Sequence, residues 1–260
     1  MTITRRSALA AFNMLLPRLV WLLLAACGGQ SGNSGITPSL PTPPTPAQVT
    51  AEGIWTGTVL SRCDFATVRA LVTHEGNLFA GTPAGTYVGS VTEGPPFDVI
   101  AVKYAPEQDT PLALVAQPDA EALAIASVQT RTRLQIEWAR QDNFCSSGGT
   151  SLHYNALFER PASLAIIEGV YTDGSMSMAV NSEGVISGSD LNGCVLNGTV
   201  AVVHSNRNYY SAAIDVDSCP ASGTYEGAAY IGDATDGGQN NELFLFVANT
   251  QHAIRLRLDK

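Results

Sequence analysis

The residues with the chemistry for proton transfer or metal binding are few and dispersed. The four histidines, His74, His153, His204 and His252, share no ligand-type spacing. His74 stands before Glu75-Gly76 and His204 opens the stretch His204–Asn208, and both read as surface turns. Asp215 and Asp217 straddle a strand end with Val216 pointing inward between them. Carboxylates that work as an acid–base pair usually come from different strands, so these two are weak evidence for catalysis. The acidic stretch from Asp233 to Glu242 offers oxygen ligands, but it fails the spacing of a helix–loop–helix calcium site and lacks the bidentate glutamate. It reads as a solvated hairpin loop. Asn197-Gly198-Thr199 fits the glycosylation pattern and reads more simply as a turn before a strand. The sequence carries no nucleophile elbow, zinc-protease helix, phosphate loop or dinucleotide fingerprint. The expectation is a non-catalytic protein without metal or cofactor, whose ligand-binding residues are not assignable.

The clearest chemistry belongs to Cys27. Arg5 and Arg6 form a positive start, an apolar run follows, and Leu24-Ala25-Ala26-Cys27 precedes Gly28-Gly29. This resembles the bacterial lipobox, which implies a diacylglycerol thioether on Cys27, cleavage before it and acylation of the new amino group. Leu19–Ala26 is too short to span a bilayer, which takes about 20 apolar residues, so residues 1–27 read as a signal peptide. Thr4-Arg5-Arg6-Ser7-Ala8-Leu9 looks like a twin-arginine signal, but an ordinary basic start is the preferred reading, because the stretch from Met14 is a complete short leader by itself. In the lipoprotein family an aspartate after the cysteine retains the protein at the inner membrane. Gly28 carries no such signal, which implies the outer membrane.

Residues 28–48 are Gly, Ser, Thr and Pro without apolar periodicity. Five prolines between Thr37 and Pro46 favour polyproline II, so this tether reaches at most about 65 Å.

The rest of the chain reads as all-β. Charged residues make up 14% of the sequence, low for a globular protein, and the lysines are Lys103 and Lys260 alone. Strict alternation marks strands with one wet face: Thr132, Leu134, Ile136 and Trp138; Met176, Met178 and Val180; Tyr210, Ala212, Ile214 and Val216; Ile254, Leu256 and Leu258. Leu243–Ala248 is apolar on both faces, as in a central strand or one lying against another surface. Asp119–Val128 has helix-like composition, but a hairpin turning at Pro118-Asp119 is the preferred reading.

The chain also repeats itself. Glu52–Thr58 corresponds to Glu168–Gly174, Leu71–Gly81 to Ala179–Gly188, and Val88–Val91 to Leu196–Val200. Residues 49–161 and 162–260 therefore read as two β domains of about eight strands each. Each is an antiparallel meander closing into a barrel, with a single sandwich built from both halves as the alternative.

Four cysteines remain, two in each half, in an oxidising compartment. They lack the close pairs of a zinc site. Cys194 and Cys219 flank the open end of the hairpin around His204–Asn208. Cys63 follows the first strand and Cys145 precedes the last, positions that meet if the first half closes. The expected bonds are Cys63–Cys145 and Cys194–Cys219.

Gly53-Ile54-Trp55, opening an eight-strand meander, looks faintly like the first strand of lipocalins and other calycins. That resemblance implies a small apolar ligand inside the barrel, against a Trp that merely plugs the barrel bottom. The wider arrangement, with segments such as Ile186–Cys194, resembles uncharacterised tandem-repeat lipoproteins of Gram-negative bacteria and implies no activity. Three of the 14 basic residues and none of the 23 acidic ones precede Cys27, leaving 11 positive against 23 negative groups, or −12, after the leader. Such a surface repels nucleic acid and anionic membranes. The expected partners are the membrane, through the lipid alone, and an envelope protein or polysaccharide. A small-ligand carrier is the alternative function, and a hydrolase the third.

Overall fold

Alternating side chains and glycine-marked turns generate sixteen strands. The computed structural model describes residues 50–61, 65–83, 85–92, 94, 96–106, 115–139, 147–234 and 238–260. The leader, Cys27, the tether, Cys63 and Cys145 lie outside these residues.

The first half forms β1 (Gly53–Ser61), β2 (Phe65–Val72), β3 (Asn77–Thr82), β4 (Gly85–Val91), β5 (Phe97–Pro106), β6 (Val115–Gln129), β7 (Arg133–Ala139) and β8 (Ser147–Asn155). Each strand pairs antiparallel with the next, and β8 returns to β1 in a ladder from Ile54↔Asn155 to Ser61↔Gly148. That ladder closes the first barrel. A 3₁₀ turn (Ala156–Glu159) and one helical turn (Leu164–Ile167) lead into the second half.

The second barrel comprises β9 (Gly169–Thr172), β10 (Met176–Val180), β11 (Val185–Asp190), β12 (Val195–Val202), β13 (Tyr210–Asp217), β14 (Gly223–Gly232), β15 (Glu242–Ala248) and β16 (Ala253–Asp259). It closes through the pair Asp259↔Thr172. The fold is thus two tandem eight-stranded antiparallel barrels within one compact unit, Ala47–Lys260. Closure of this kind pairs the first strand of each barrel with its last.

The internal repeat is visible as shared turn geometry. Gly76 and Gly184 both adopt positive φ, 81° and 80°. In each barrel this glycine follows a Glu and turns the second strand into the third. Its carbonyl also accepts from the fourth strand, from Val91 N and Val200 N, both at 2.8 Å. A side chain at Gly184 would place Cβ 2.3 Å from Val200 O, so glycine is required sterically as well as conformationally.

Each barrel has a core of its own among the described residues. Trp55, Val68, Val72, Leu134 and Leu152 pack the first, and Tyr171, Met178, Leu196, Ile214, Tyr225 and Leu256 pack the second. Cys194 and Cys219 are bonded, with Cα atoms 5.1 Å apart, across the open end of the β12–β13 hairpin.

Three sequence expectations need correction. Pro118-Asp119 is not a turn: β6 runs through it, and the register against β5 shifts there, Lys103 facing Ala120 and Tyr104 facing Pro118. Asp119 is the extra residue of a β-bulge, one of the few places a strand admits proline. Asn197-Gly-Thr199 lies inside β12, not in a turn. Gly198 is there because a Cβ would stand 2.1 Å from Ala213 O on the neighbouring strand. Thr132 is exposed in a turn with Arg131 at φ 52°, so β7 begins at Arg133.

Candidate functional site between the barrels

Some outward-facing residues are apolar, and they dock one barrel on the other. β15 is buried on both faces: Leu243, Leu245 and Val247 enter the core of the second barrel, while Phe244 and Phe246 face away from it. They join Tyr209, Ala228 and Tyr230 against Ile54, Leu71, Phe79 and Phe158. Tyr230 and Phe244 stack with ring centroids 4.6 Å apart. A second contact packs Tyr104 of β5 on Ala253 of β16, with the Tyr104 hydroxyl donating to Asn249 O at 2.9 Å. The backbones join as well, through Ala253↔Ala116 and Ile254↔Val115 between β16 and β6.

Docking brings together side chains far apart in sequence. The His74 turn of the first barrel meets the His204 turn of the second, edge to face, with ring centroids 5.2 Å apart. His74 Nδ1 lies 2.9 Å from a Glu52 carboxylate oxygen, and His204 Nε2 lies 4.0 Å from Glu75. Arg207 reaches Glu52 at 3.6 Å and Glu159 at 3.4 Å, and its guanidinium lies over the Phe158 ring. Arg131 holds the other side of Glu159 at 3.2 Å, and the Tyr154 hydroxyl donates to the same carboxylate. Burial pushes the Tyr209 phenol beneath this network up to about 12, so it stays protonated at physiological pH.

Next to this network a cleft of about 780 Å³ opens between the barrels. Thr73, Glu75, Asn77, Phe79, Val88 and Tyr104 form one wall, and Thr199, Ala201, Tyr209, Ser211, Ala213, Glu226 and Asn249 the other. The volume lies in the range of ligand sites. Its lining mixes hydroxyls, amides and two carboxylates with aromatic and aliphatic surface. That combination offers hydrogen bonds to an uncharged polar ligand.

The residues singled out by sequence fall elsewhere. Asp215 and Asp217 are exposed on the outer face of β13, where Asp215 accepts from the Thr224 hydroxyl at 2.6 Å. Asp233, at the head of the acidic loop, takes a bidentate bond from Arg160, two contacts of 2.6 Å, which hold its carboxyl below the ordinary carboxylate value. Among the described residues no group of three or more His, Cys, Asp or Glu side chains is placed to hold a metal. No helix among them is long and apolar enough to cross a membrane. Trp55 is fully buried inside the first barrel, its indole donating to Ala51 O at 2.9 Å.

The cleft residues left no local mark in the sequence, because they meet only when one barrel docks on the other. The one available signal was the apolar outer face of Leu243–Ala248. No protein-family model matches the chain, and comparison with curated proteins and with solved structures gives no match.

Proposed function

We propose that the chain is an outer-membrane lipoprotein, anchored through lipid on Cys27, whose two barrels form one non-catalytic module that binds a neutral envelope polysaccharide. The observation that carries the binding reading is the position of the open volume. The large cleft is built jointly by the two barrels, whereas both barrel interiors are occupied by their own side chains. A calycin-type carrier would need the space that Trp55, Leu134 and Leu152 fill in the first barrel and that Tyr171, Met178 and Tyr225 fill in the second. The hydrolase reading loses the pair the sequence offered, since Asp215 and Asp217 point outward, and Glu75 and Glu226 stand on opposite walls of the cleft. Glu75 and Glu226 on the cleft walls, in a chain of net charge −9, favour an uncharged polymer over a polyanion. The anchor is supported by the lipobox-like Leu24-Ala25-Ala26-Cys27.

The test is retention of the purified full chain on insoluble envelope polysaccharide. Ala201 and Ala213 are exposed on the cleft wall. The double variant Ala201→Arg/Ala213→Arg should keep its melting temperature and lose about tenfold in affinity, about 1.4 kcal/mol. Equal retention of wild type and variant overturns the cleft assignment. Cys27→Ser should lose the lipid mass and leave the outer-membrane fraction. Wild-type fractionation of that variant overturns the anchor.

A further inference from the structure

A second cavity on the barrel seam, about 340 Å³, has the opposite electrostatic character. Arg69 of β2 lines it from the first barrel, and Arg255 and Arg257 of β16 line it from the second, together with Phe244. The carboxylate that answers them is Glu242, 1% exposed, which pairs with Arg257 and with Arg69 at 3.5 Å. Arg69 also lies over the Phe244 ring, 4.6 Å from its centroid.

Arg255 has no carboxylate partner among the described residues. Its Nη1 donates to Thr82 O at 2.6 Å. It lies across Gly81, where a Cβ would stand 2.5 Å from Arg255 Cδ. A guanidinium carries five donors and keeps its charge at any pH a protein meets. Burial works against that charge in Arg255. A partly buried, unpaired cation is a standing electrostatic cost. Three arginines facing one carboxylate are also not what a chain of net charge −9 leads one to expect.

We propose that this seam cavity is an oxyanion site for a small ligand bearing a carboxylate or a phosphate monoester, with Arg255 as the anchor and Arg69 and Arg257 beside it. Guanidinium groups bind both anions through paired, charge-assisted hydrogen bonds. Phe244 supplies an apolar wall for the body of the ligand. The site is separate from the cleft that binds polysaccharide, and neither assignment depends on the other.

The test is calorimetry and thermal melting of the full chain in detergent with inorganic phosphate, glycerol 1-phosphate and glucuronate. The wild type should bind at least one of them and melt higher in its presence. A response to the phosphates alone, or to glucuronate alone, identifies the preferred group. Arg255→Gln should bind about tenfold or more weakly. Without ligand it should melt no lower than wild type, because it removes an unpaired charge. Arg69→Gln is the second variant should Arg255→Gln fail to fold, and it should also bind more weakly. Arg133→Gln, on the solvent face of β7, should bind as wild type does. The proposal is overturned if none of the three anions binds at millimolar concentration. It is equally overturned if Arg255→Gln melts lower than wild type while binding the anion unchanged.

Discussion

Trp55 and Tyr171 make the same bond in the two barrels. The indole N–H of Trp55 and the phenol of Tyr171 each donate to the carbonyl four residues earlier, Ala51 O at 2.9 Å and Ile167 O at 2.7 Å. Each stands two residues after a glycine at positive φ, 154° for Gly53 and 156° for Gly169. Tyr225 repeats the device after Gly223, donating to Ala221 O at 2.6 Å. The aromatic ring plugs the barrel while its polar atom ties the incoming chain to the strand it precedes.

Tyr171→Phe keeps the ring and removes the bond. It should cost about 1–2 kcal/mol, because the Ile167 carbonyl is left unsatisfied. Denaturant unfolding should show a lower midpoint with an unchanged slope. A midpoint equal to wild type would show that the bond contributes nothing.

Separating the barrels tests how much each depends on the other. Residues 49–161 and 162–260 each have a closed ladder and a filled core, so each expressed alone should give β-type circular dichroism and a cooperative melt. Both should melt below the full chain, since separation exposes Phe79 on one side and Tyr230, Phe244 and Phe246 on the other. Truncation of the last of these in the full chain, Phe246→Ala, should cost about 3–5 kcal/mol. If neither half melts cooperatively, the barrels are one folding unit.

The Arg160–Asp233 pair makes a prediction about acid. The folded-state pKa of Asp233 is lowered, first by its bond to Arg160. Such a group stabilises the fold above its unfolded pKa, and the contribution is lost as pH falls through the lower, folded value. Both side chains are 33% exposed, so the pair is worth about 1 kcal/mol or less at neutral pH. Asp233→Asn should be less stable than wild type by that amount at pH 7. The difference should shrink from about pH 4 downward. A gap that is constant with pH would assign the effect to packing.

Non-reducing digestion and mass spectrometry should find Cys194 linked to Cys219 and Cys63 linked to Cys145. The second link follows from the ladder that ends at Ser61↔Gly148, two residues from Cys63 and three from Cys145 in sequence. Removing Cys194–Cys219, with its separation of 25 residues, should cost about 3.5 kcal/mol on a chain-entropy estimate. A link between the halves, such as Cys63 to Cys219, would be incompatible with two separately closed barrels.

Much of the fold is legible in the sequence because its signals are local. Tyr210, Ala212, Ile214 and Val216 alternate inward as their period requires, and the Glu-Gly turns at Gly76 and Gly184 mark the same corner twice. Local signals mislead where one residue has two uses. Pro118-Asp119 has turn chemistry yet builds a bulge, and Asn197-Gly198 marks a close strand crossing. The site is a different matter. His74 and His204 lie 130 positions apart, and Arg69 and Arg255 further still. Nothing in either neighbourhood encodes the docking that joins them.

That docking joins unlike faces: the outer face of β1–β3 on one barrel receives the outer face of β14 and β15 on the other. A contact between unlike faces of two similar units can in principle be repeated without end, adding unit to unit into a fibre. Here the two faces left over have been made unsuitable. Ile54, fully buried at the seam, corresponds in the second barrel to Val170, which is 61% exposed, and Phe79 corresponds to the exposed Ser187. At the far side, Phe244 and Phe246 correspond to Gln135 and Glu137 on β7. A third barrel approaching in the same manner would meet no aromatic side chain at these positions, only Val170 and Ser187 at one end and Gln135 and Glu137 at the other, much as altered terminal repeats cap a solenoid. Divergence between the two copies therefore has a colloidal consequence: it disfavours continued unit-on-unit growth from the docked pair.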